Sequence, residues 1–367
     1  MNQFEIVKKR KFCNIVQEYE TITIDTSVYT KEIVKPVVVK NCEEPDSDDS
    51  DDKDDKDDKE AHTELPKPEL TAIEFYNLYV QRTEEQCDIE SKAPQRSLEW
   101  HAARAHSITA SNFGAAAGSN KYSTPDDLVL DKLWSSFKGN ENTAYGTFHE
   151  NDARESLIQS LNEELRPTLE KLYIENFKPK HTLGHYVAAA PQYETFDLFD
   201  CGLLKSFKQP WMAVSPDGIL FLNGTYGKMT LLVEYKCPAS KRDSDRHPYS
   251  YSPNNVPEYY YDQIQGIMGL LNKYPELLKN IDTNANNSNS DGSSGFTNGP
   301  SHCLFVVWQP HQHHVTLVPF NSENYNSNLE PALTRWFFDK YLPMATLKFN
   351  GSLVPGTLKC APIITVN

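Results

Sequence analysis

The sequence predicts an α/β (α+β) fold with a central mixed β-sheet flanked by helices, on three observations. Segments with helical spacing stand at the start, middle and end of the main body. Between them lie short runs rich in β-branched and aromatic residues, parted by turn residues. The order helix, strands, helix, strand pair, helix is that of a layered core. With 38% hydrophobic and 11% aromatic residues, the 367 positions carry enough apolar mass for one large domain or two ordinary ones.

Residues 1–66 are expected to form a disordered acidic extension. Its β-branched runs, ITID at 22–25 and EIVKPVVVK at 32–40, are cut off from the main body by DSDDSDDKDDKDDKE at 46–60. That block holds nine Asp, one Glu and three Lys, net −7, which leaves −8 of the chain's −15 for everything else. Like charges in a run repel one another and stay solvated. The mildly acidic remainder still has room for a basic groove.

The main body is expected over 67–347, with a tail at 348–367. LTAIEFYNLYV at 70–80 has helical spacing, and Ser123-Thr124-Pro125-Asp126-Asp127 supplies a hydroxyl cap, a first-turn proline and acids for the helix dipole. In TAYGTFHENDARESLIQSL, apolar Phe148, Ala153, Leu157, Ile158 and Leu161 predict one amphipathic helix with Glu150 near its start. TLEKLYIENF, HTLGHYVAAAP, WMAVSPDGILFL and KMTLLVEYK predict short strands of a mostly antiparallel sheet. PEYYYDQIQGIMGLLNKY is a helix, CLFVVWQ and HVTLVPF a strand pair, and EPALTRWFFDKYLPMA a closing helix. The Asn-, Ser- and Gly-rich segment at about 280–301 is expected to be a flexible surface insertion.

Several chemistries recede at once. The seven cysteines are odd in number, widely spread and never paired as Cys-x-x-Cys, against a disulfide framework or a structural zinc site. No run of 18 apolar residues exists and MNQFEIVKKRKF lacks the apolar block of a secretory signal, so neither a membrane span nor export is expected. The expectation is an intracellular protein, nuclear or cytoplasmic. HQHH at 311–314 stands at a strand boundary and reads as polar rather than as a metal tract. Asn-x-Ser/Thr at Asn223 and Asn286 carries no weight without a secretory route.

SPDGILFLNGTYGKMTLLVEYKCP, at 215–238, is the informative stretch. Alternation along a strand points Glu234 and Lys236 one way and Tyr235 the other. A hairpin GILFLNGTYGKMTLLVEYK then brings Asp217, in its Pro-Asp-Gly turn, to the same end as Glu234. Two carboxylates and an ammonium are the parts that hold Mg²⁺ against a phosphate and orient a water. The bland alternative is a good turn beside a favourable Glu-x-Lys pair on an exposed face. Glu150 offers a further carboxylate at a helix start, or simply a favourable first-turn acid. On the later helix, Tyr260, Ile264, Ile267, Met268 and Leu271 share an arc of about 100°. Gln263 borders this arc and can reach a buried site; Gln265 lies off it and is expected in solvent.

These residues resemble a known family, the phage lambda exonuclease and YqaJ-type viral recombinase nucleases of the PD-(D/E)xK superfamily. The resemblance runs in order through EWHAARAHSITASNFG, AYGTFHENDARESL, SPDG, VEYKCP and YYYDQIQGIM, roughly Arg96 to Asn272. It implies a restriction-endonuclease-like core and a deoxyribonuclease, an exonuclease working 5′ to 3′ on duplex DNA in recombination or repair. Asp217, Glu234 and the Tyr235 backbone carbonyl would bind one or two Mg²⁺ or Mn²⁺ ions. Glu150 would act through water or a second ion, Lys236 would orient or deprotonate the attacking water, and Gln263 matches the first glutamine of the family's Gln-x-Gln helix. Arg104, Ser111 and Ser215 stand where the family contacts a terminal 5′ phosphate; for Arg104 and Ser111 the bland reading is a surface helix residue and a cap. Lys241 and Arg242 follow the active strand, as DNA-backbone contacts or a solvated charged loop. The resemblance also raises a homo-oligomeric ring around DNA and a single-strand annealing protein as partners. Two rivals stay open: an endonuclease of the same superfamily, and a DNA- or partner-binding module with a dead site.

Overall fold

The structure is a computed structural model that describes residues 69–134, 139–177, 193–239, 254–279, 281, 298–310 and 312–353, with the backbone of 3–8 and 20–25. HTLGHYVAAAP, Lys241, Arg242, His311, most of 1–66, most of 280–301 and residues 354–367 lie outside them. The chain divides into two units, Met1–Leu70 with Leu347–Asn367, and Thr71–Thr346. In the first, β1 (Gln3–Lys8) pairs antiparallel with β2 (Glu20–Asp25), and Asn350 exchanges hydrogen bonds of 2.9 and 2.8 Å with the Leu70 backbone.

The second unit begins with α1 (Ala72–Phe75), prolonged by a π turn over Tyr76–Val80, then α2 (Glu84–Ser91), α3 (Leu98–Arg104) and β3 (Ile108–Thr109). It continues with α4 (Phe113–Ala117), α5 (Pro125–Trp134), α6 (Glu141–Phe148), α7 (Glu150–Asn162) and α8 (Arg166–Phe177). Strands β4 (Tyr193–Phe199), β5 (Leu204–Lys205), β6 (Met212–Val214), β7 (Gly218–Gly224) and β8 (Gly227–Lys236) follow. The 16-residue α9 (Glu258–Lys273) precedes β9 (His302–Gln309) and β10 (Gln312–Pro319). Then come α10 (Ser322–Asn324), α11 (Glu330–Arg335) and α12 (Leu342–Phe349), joined by π turns. Among the described residues no helix is long and apolar enough to cross a membrane.

The central sheet is mixed, as expected: order β10-β9-β8-β7-β4, with β8 and β9 parallel and the other neighbours antiparallel. A smaller sheet, β3-β6-β5, pairs β3 parallel to β6. The two faces of β8 divide the core. Met229, Leu231, Val233 and Tyr235 join Ala153, Leu157 and Leu161 of α7 and Leu169, Leu172 and Tyr173 of α8 in one buried cluster. The alternate residues face the α9 side, where Gln263 meets Glu234. Helix α9 seats against α4 so closely that a Cβ at Gly114 would lie 2.7 Å from Tyr259 Cα, and one at Gly266 would overlap the Phe113 ring.

Three expectations are corrected. TLEKLYIENF is not a strand but the body of α8. Its apolar residues are aromatic and branched enough to read as β, yet Leu169, Leu172 and Tyr173 stand at i, i+3 and i+4 and are buried together. The single helix expected across 143–161 breaks at His149 (φ −97°, ψ 6°) into α6 and α7. Phe148, placed on its apolar face, is 77% exposed because that face ends at the break. Gln265, expected in solvent, is fully buried. Helix α9 is packed on two sides, and there Gln265 donates to Pro319 O (2.9 Å) and accepts from Asn321 N (2.8 Å). Strand β4 had no expectation to match it; its alternation is weak, with most residues partly exposed.

Candidate active site

The β7–β8 register pairs Gly218 with Val233, so the residue before β7, Asp217, comes level with Glu234 at the end of β8. The Tyr235 N–H donates to Asp217 Oδ2 at 2.8 Å and pins the turn. Glu234 is only 2% exposed. Its Oε1 accepts from Lys236 Nζ at 2.6 Å and from Gln263 Nε2 at 2.5 Å, so strand and helix converge on one oxygen. The other oxygen, Oε2, is buried and has no hydrogen-bond partner among the described residues. An unpaired buried carboxylate oxygen is costly unless something else supplies its partner.

Burial and the neighbouring Glu234 charge push the Asp217 carboxyl well above the usual carboxylate range, against the pull of Lys236 and of the Tyr235 N–H. At Lys236 burial works to discharge the ammonium, but Glu234 and Asp217 outweigh it and hold the pKa above that of an ordinary lysine. Lys236 is therefore a charged donor, with its Nζ 5.0 Å from the Tyr260 ring centroid.

The three residues expected at a phosphate come to the same place. Parallel pairing of β3 with β6 sets Thr109 beside Ala213, so Ser111 and Ser215 emerge two residues past matching strand positions. Arg104 ends α3, with its guanidinium carbon 3.7 Å over the Trp100 ring, and burial lowers its pKa to about 10. A cavity of about 170 Å³ is lined by Arg104, Ser111, Ser215, Asp217, Glu234 and Gln263. Ser215 Oγ donates to Gly202 O at 3.1 Å.

A second cavity, of about 390 Å³, has Asp217 in its wall together with Glu150, Arg154, Asp200 and Tyr235. Glu150 opens α7, as expected of a helix-start carboxylate, but it is not in hydrogen-bonding contact with Asp217 or Glu234. Instead Arg96 Nη2 reaches its two oxygens at 2.7 and 2.8 Å. In the sequence Arg96 only marks where the family resemblance begins and is given no role. Its backbone φ of +70° is the signal that sets it apart, and nothing in Pro94-Gln95-Arg96-Ser97 announces that conformation. His313 of the HQHH run contacts Ser160 Oγ at 2.7 Å.

The donor set fits a divalent cation. Asp217, Glu234, whose Oε2 has no hydrogen-bond partner among the described residues, and the Tyr235 carbonyl are hard oxygen donors, and a cation would offset the burial and the Glu234 repulsion that raise Asp217. Magnesium ions are commonly held by one or two carboxylates with waters completing the shell. Among the described residues no group of three or more His, Cys, Asp or Glu side chains is placed to hold a metal ion, so the two carboxylates and the carbonyl would need waters to complete the shell; Glu150 is paired with Arg96.

Residues 99–272 match the model of a family described as the YqaJ-like viral recombinase domain. Arg104, Ser111, Glu150, Ser215, Asp217, Glu234, Lys236 and Gln263 all fall inside that match. Among solved structures the chain is similar to an alkaline exonuclease (LHK-Exo) from Laribacter hongkongensis, at 16% identity over 70% of this chain and 97% of that one, TM-score 0.39. It is also similar to LHK-Exo in complex with dAMP, at 15% identity with the same coverage and a TM-score of 0.40. No curated protein matches the chain.

Proposed function

Since residues 99–272 belong to the YqaJ-like viral recombinase domain family, we propose that this chain is a metal-dependent exonuclease that hydrolyses one strand of duplex DNA from a 5′ end during recombination or repair. The observation that carries the reading is one cavity wall shared by two kinds of residue. The carboxylates Asp217 and Glu234, the latter hydrogen-bonded to Lys236, line the same cavity as the donors Arg104, Ser111 and Ser215, which suit a phosphate.

The division of labour follows from chemistry. Arg104, stacked on Trp100, offers a planar fork to a terminal phosphate; the Ser111 hydroxyl adds a donor beside it, and Ser215 adds another once its O–H turns from Gly202 O. Asp217, Glu234 and the Tyr235 carbonyl would hold Mg²⁺ or Mn²⁺, with Glu150 in reserve through water. Such an ion, when bound, supplies positive charge to the scissile phosphate and a more acidic water. Lys236 Nζ, kept protonated by its two carboxylate neighbours, donates to the attacking water or to a phosphate oxygen and orients it for in-line approach. Gln263 and Lys236 fix the Glu234 rotamer by both donating to Oε1, and Oε2 is left without a hydrogen-bond partner among the described residues.

The test is digestion of linear duplex carrying 5′-phosphate or 5′-hydroxyl ends, beside covalently closed circular duplex, in Mg²⁺ and in EDTA. Mg²⁺-dependent loss of nucleotides from 5′-phosphorylated ends, absent in Glu234→Ala, is the expected result. Cutting of the closed circle would replace the exonuclease with an endonuclease. Binding without cutting of any substrate would leave a DNA-binding module.

A further inference from the structure

We propose that Arg96 is a further substrate-binding residue, whose guanidinium exchanges the Glu150 carboxylate for a backbone phosphate of a DNA end seated beside Arg104, Ser111 and Ser215. The proposal rests on the nuclease reading above and adds to it a residue outside the matched segment.

The backbone is the first observation. Among the described residues Arg96 alone of the non-glycines has a positive φ, +70°, a region that glycine enters freely and a long side chain enters at a cost. Its neighbours are fixed on both sides. Gln95 Nε2 donates to Cys201 O at 2.7 Å, and Ser97 caps α3 by accepting from the Trp100 N–H at 3.1 Å. The turn thrusts Arg96 out from between two anchored residues, where glycine would serve the turn better. The reason for an arginine must lie in its side chain.

The side chain makes a contact of an exchangeable kind. A single nitrogen, Nη2, touches both Glu150 oxygens, in place of the two parallel bonds of a fork-to-fork pair. Among the described residues Nε and Nη1 have no hydrogen-bond partner. Both side chains are part-exposed, 47% for Arg96 and 36% for Glu150, where ion pairs are weak. Arg96 also lines the cavity of Arg104, Ser111 and Ser215. A phosphate arriving there brings two or more anionic oxygens to a guanidinium that has donors to spare, and it is a better match for the fork than Glu150 in its present contact.

The test is fluorescence anisotropy of the full chain with a 5′-phosphorylated duplex in EDTA, so that nothing is cut, across a salt series, with melting temperatures alongside. Arg96→Gly should melt at or above the wild-type temperature, because the strain is gone. It should bind about tenfold more weakly, and its log Kd against log salt line should be shallower by about 0.9, the loss of one phosphate contact. Arg96→Lys should recover the slope but only part of the affinity, having charge without the fork. Glu150→Gln should tighten binding in the wild-type background and not in Arg96→Gly, since the gain comes from releasing Arg96. Unchanged affinity and slope in Arg96→Gly, or an equal gain from Glu150→Gln in both backgrounds, would overturn the proposal and leave the nuclease reading intact. Absence of duplex binding by the wild-type chain would instead overturn both.

Discussion

Lys236–Glu234 and Arg96–Glu150 flank Asp217 and have nearly equal lengths, 2.6 and 2.7 Å, yet they are built in opposite ways. The inner pair lies two residues apart on one strand, with side chains 22% and 3% exposed, and Gln263 and the Tyr235–Asp217 bond brace it. The outer pair joins a turn to a helix start across 54 residues, half in water, with a strained backbone under its arginine. Desolvation makes the inner charges depend on one another, because removing either leaves the other buried without its opposite charge. Water makes the outer charges nearly independent. The difference teaches that proximity alone does not identify a permanent contact: the first pair is a fixed part of the candidate catalytic centre, and the second is free to change partners.

Breaking the inner pair should have the largest effect. Lys236→Ala is expected to lower the cleavage rate on the order of 10³-fold, the scale of losing one preorganised charged donor. It should also destabilise the fold by about 3–5 kcal/mol by stranding Glu234. Nuclease assays and chemical denaturation of the same sample separate the two losses. A variant that cleaves at the wild-type rate would remove Lys236 from the chemistry. Next comes Arg104→Ala, which takes the fork from the proposed phosphate site but leaves the inner pair untouched. The expected loss is about 1.5–3 kcal/mol of binding, roughly 10- to 150-fold in KM, for 5′-phosphorylated ends. No comparable loss is expected for 5′-hydroxyl ends, and an equal loss for both would make Arg104 a packing residue on Trp100.

The inner region was legible in the sequence, and of the outer region only Glu150 was. Alternation along KMTLLVEYK and the turn chemistry of Pro-Asp-Gly put Asp217, Glu234 and Lys236 together because hairpin pairing is local and its period is two. Gln263 was reachable as the border of an apolar arc. Ser111 and Ser215 came from resemblance, and their reason is the parallel pairing of two short strands about 100 residues apart, which no local period encodes. Gln265 was misread because a helical arc counts one buried face, whereas α9 is covered on two. Helix α8 was misread because Leu, Tyr and Ile satisfy either period in so short a run. Arg96 was invisible because a positive φ is set by the anchoring of Gln95 and Ser97, and those partners lie elsewhere in the chain or in the next helix.

The bracing of the inner pair by α9 gives a smaller prediction. Gly266→Ala places a methyl group against the fully buried Phe113 ring, within the α4–α9 contact. Overpacking of that kind costs about 1–3 kcal/mol, read as a lower denaturation midpoint. If stability is unchanged, α9 has slack, and the Gln263–Glu234 bond loses its claim to rigidity. The smallest expected effect belongs to the outer pair. Glu150→Gln removes the partner of an arginine that is already half in water, so stability should change by no more than about 1 kcal/mol, against several for the inner pair. Denaturation in low and high salt checks this, since what little the pair contributes should vanish once its charges are screened. A loss of several kcal/mol that persists in high salt would show Glu150 held as firmly as Glu234, and the division between a fixed pair and an exchangeable one would collapse.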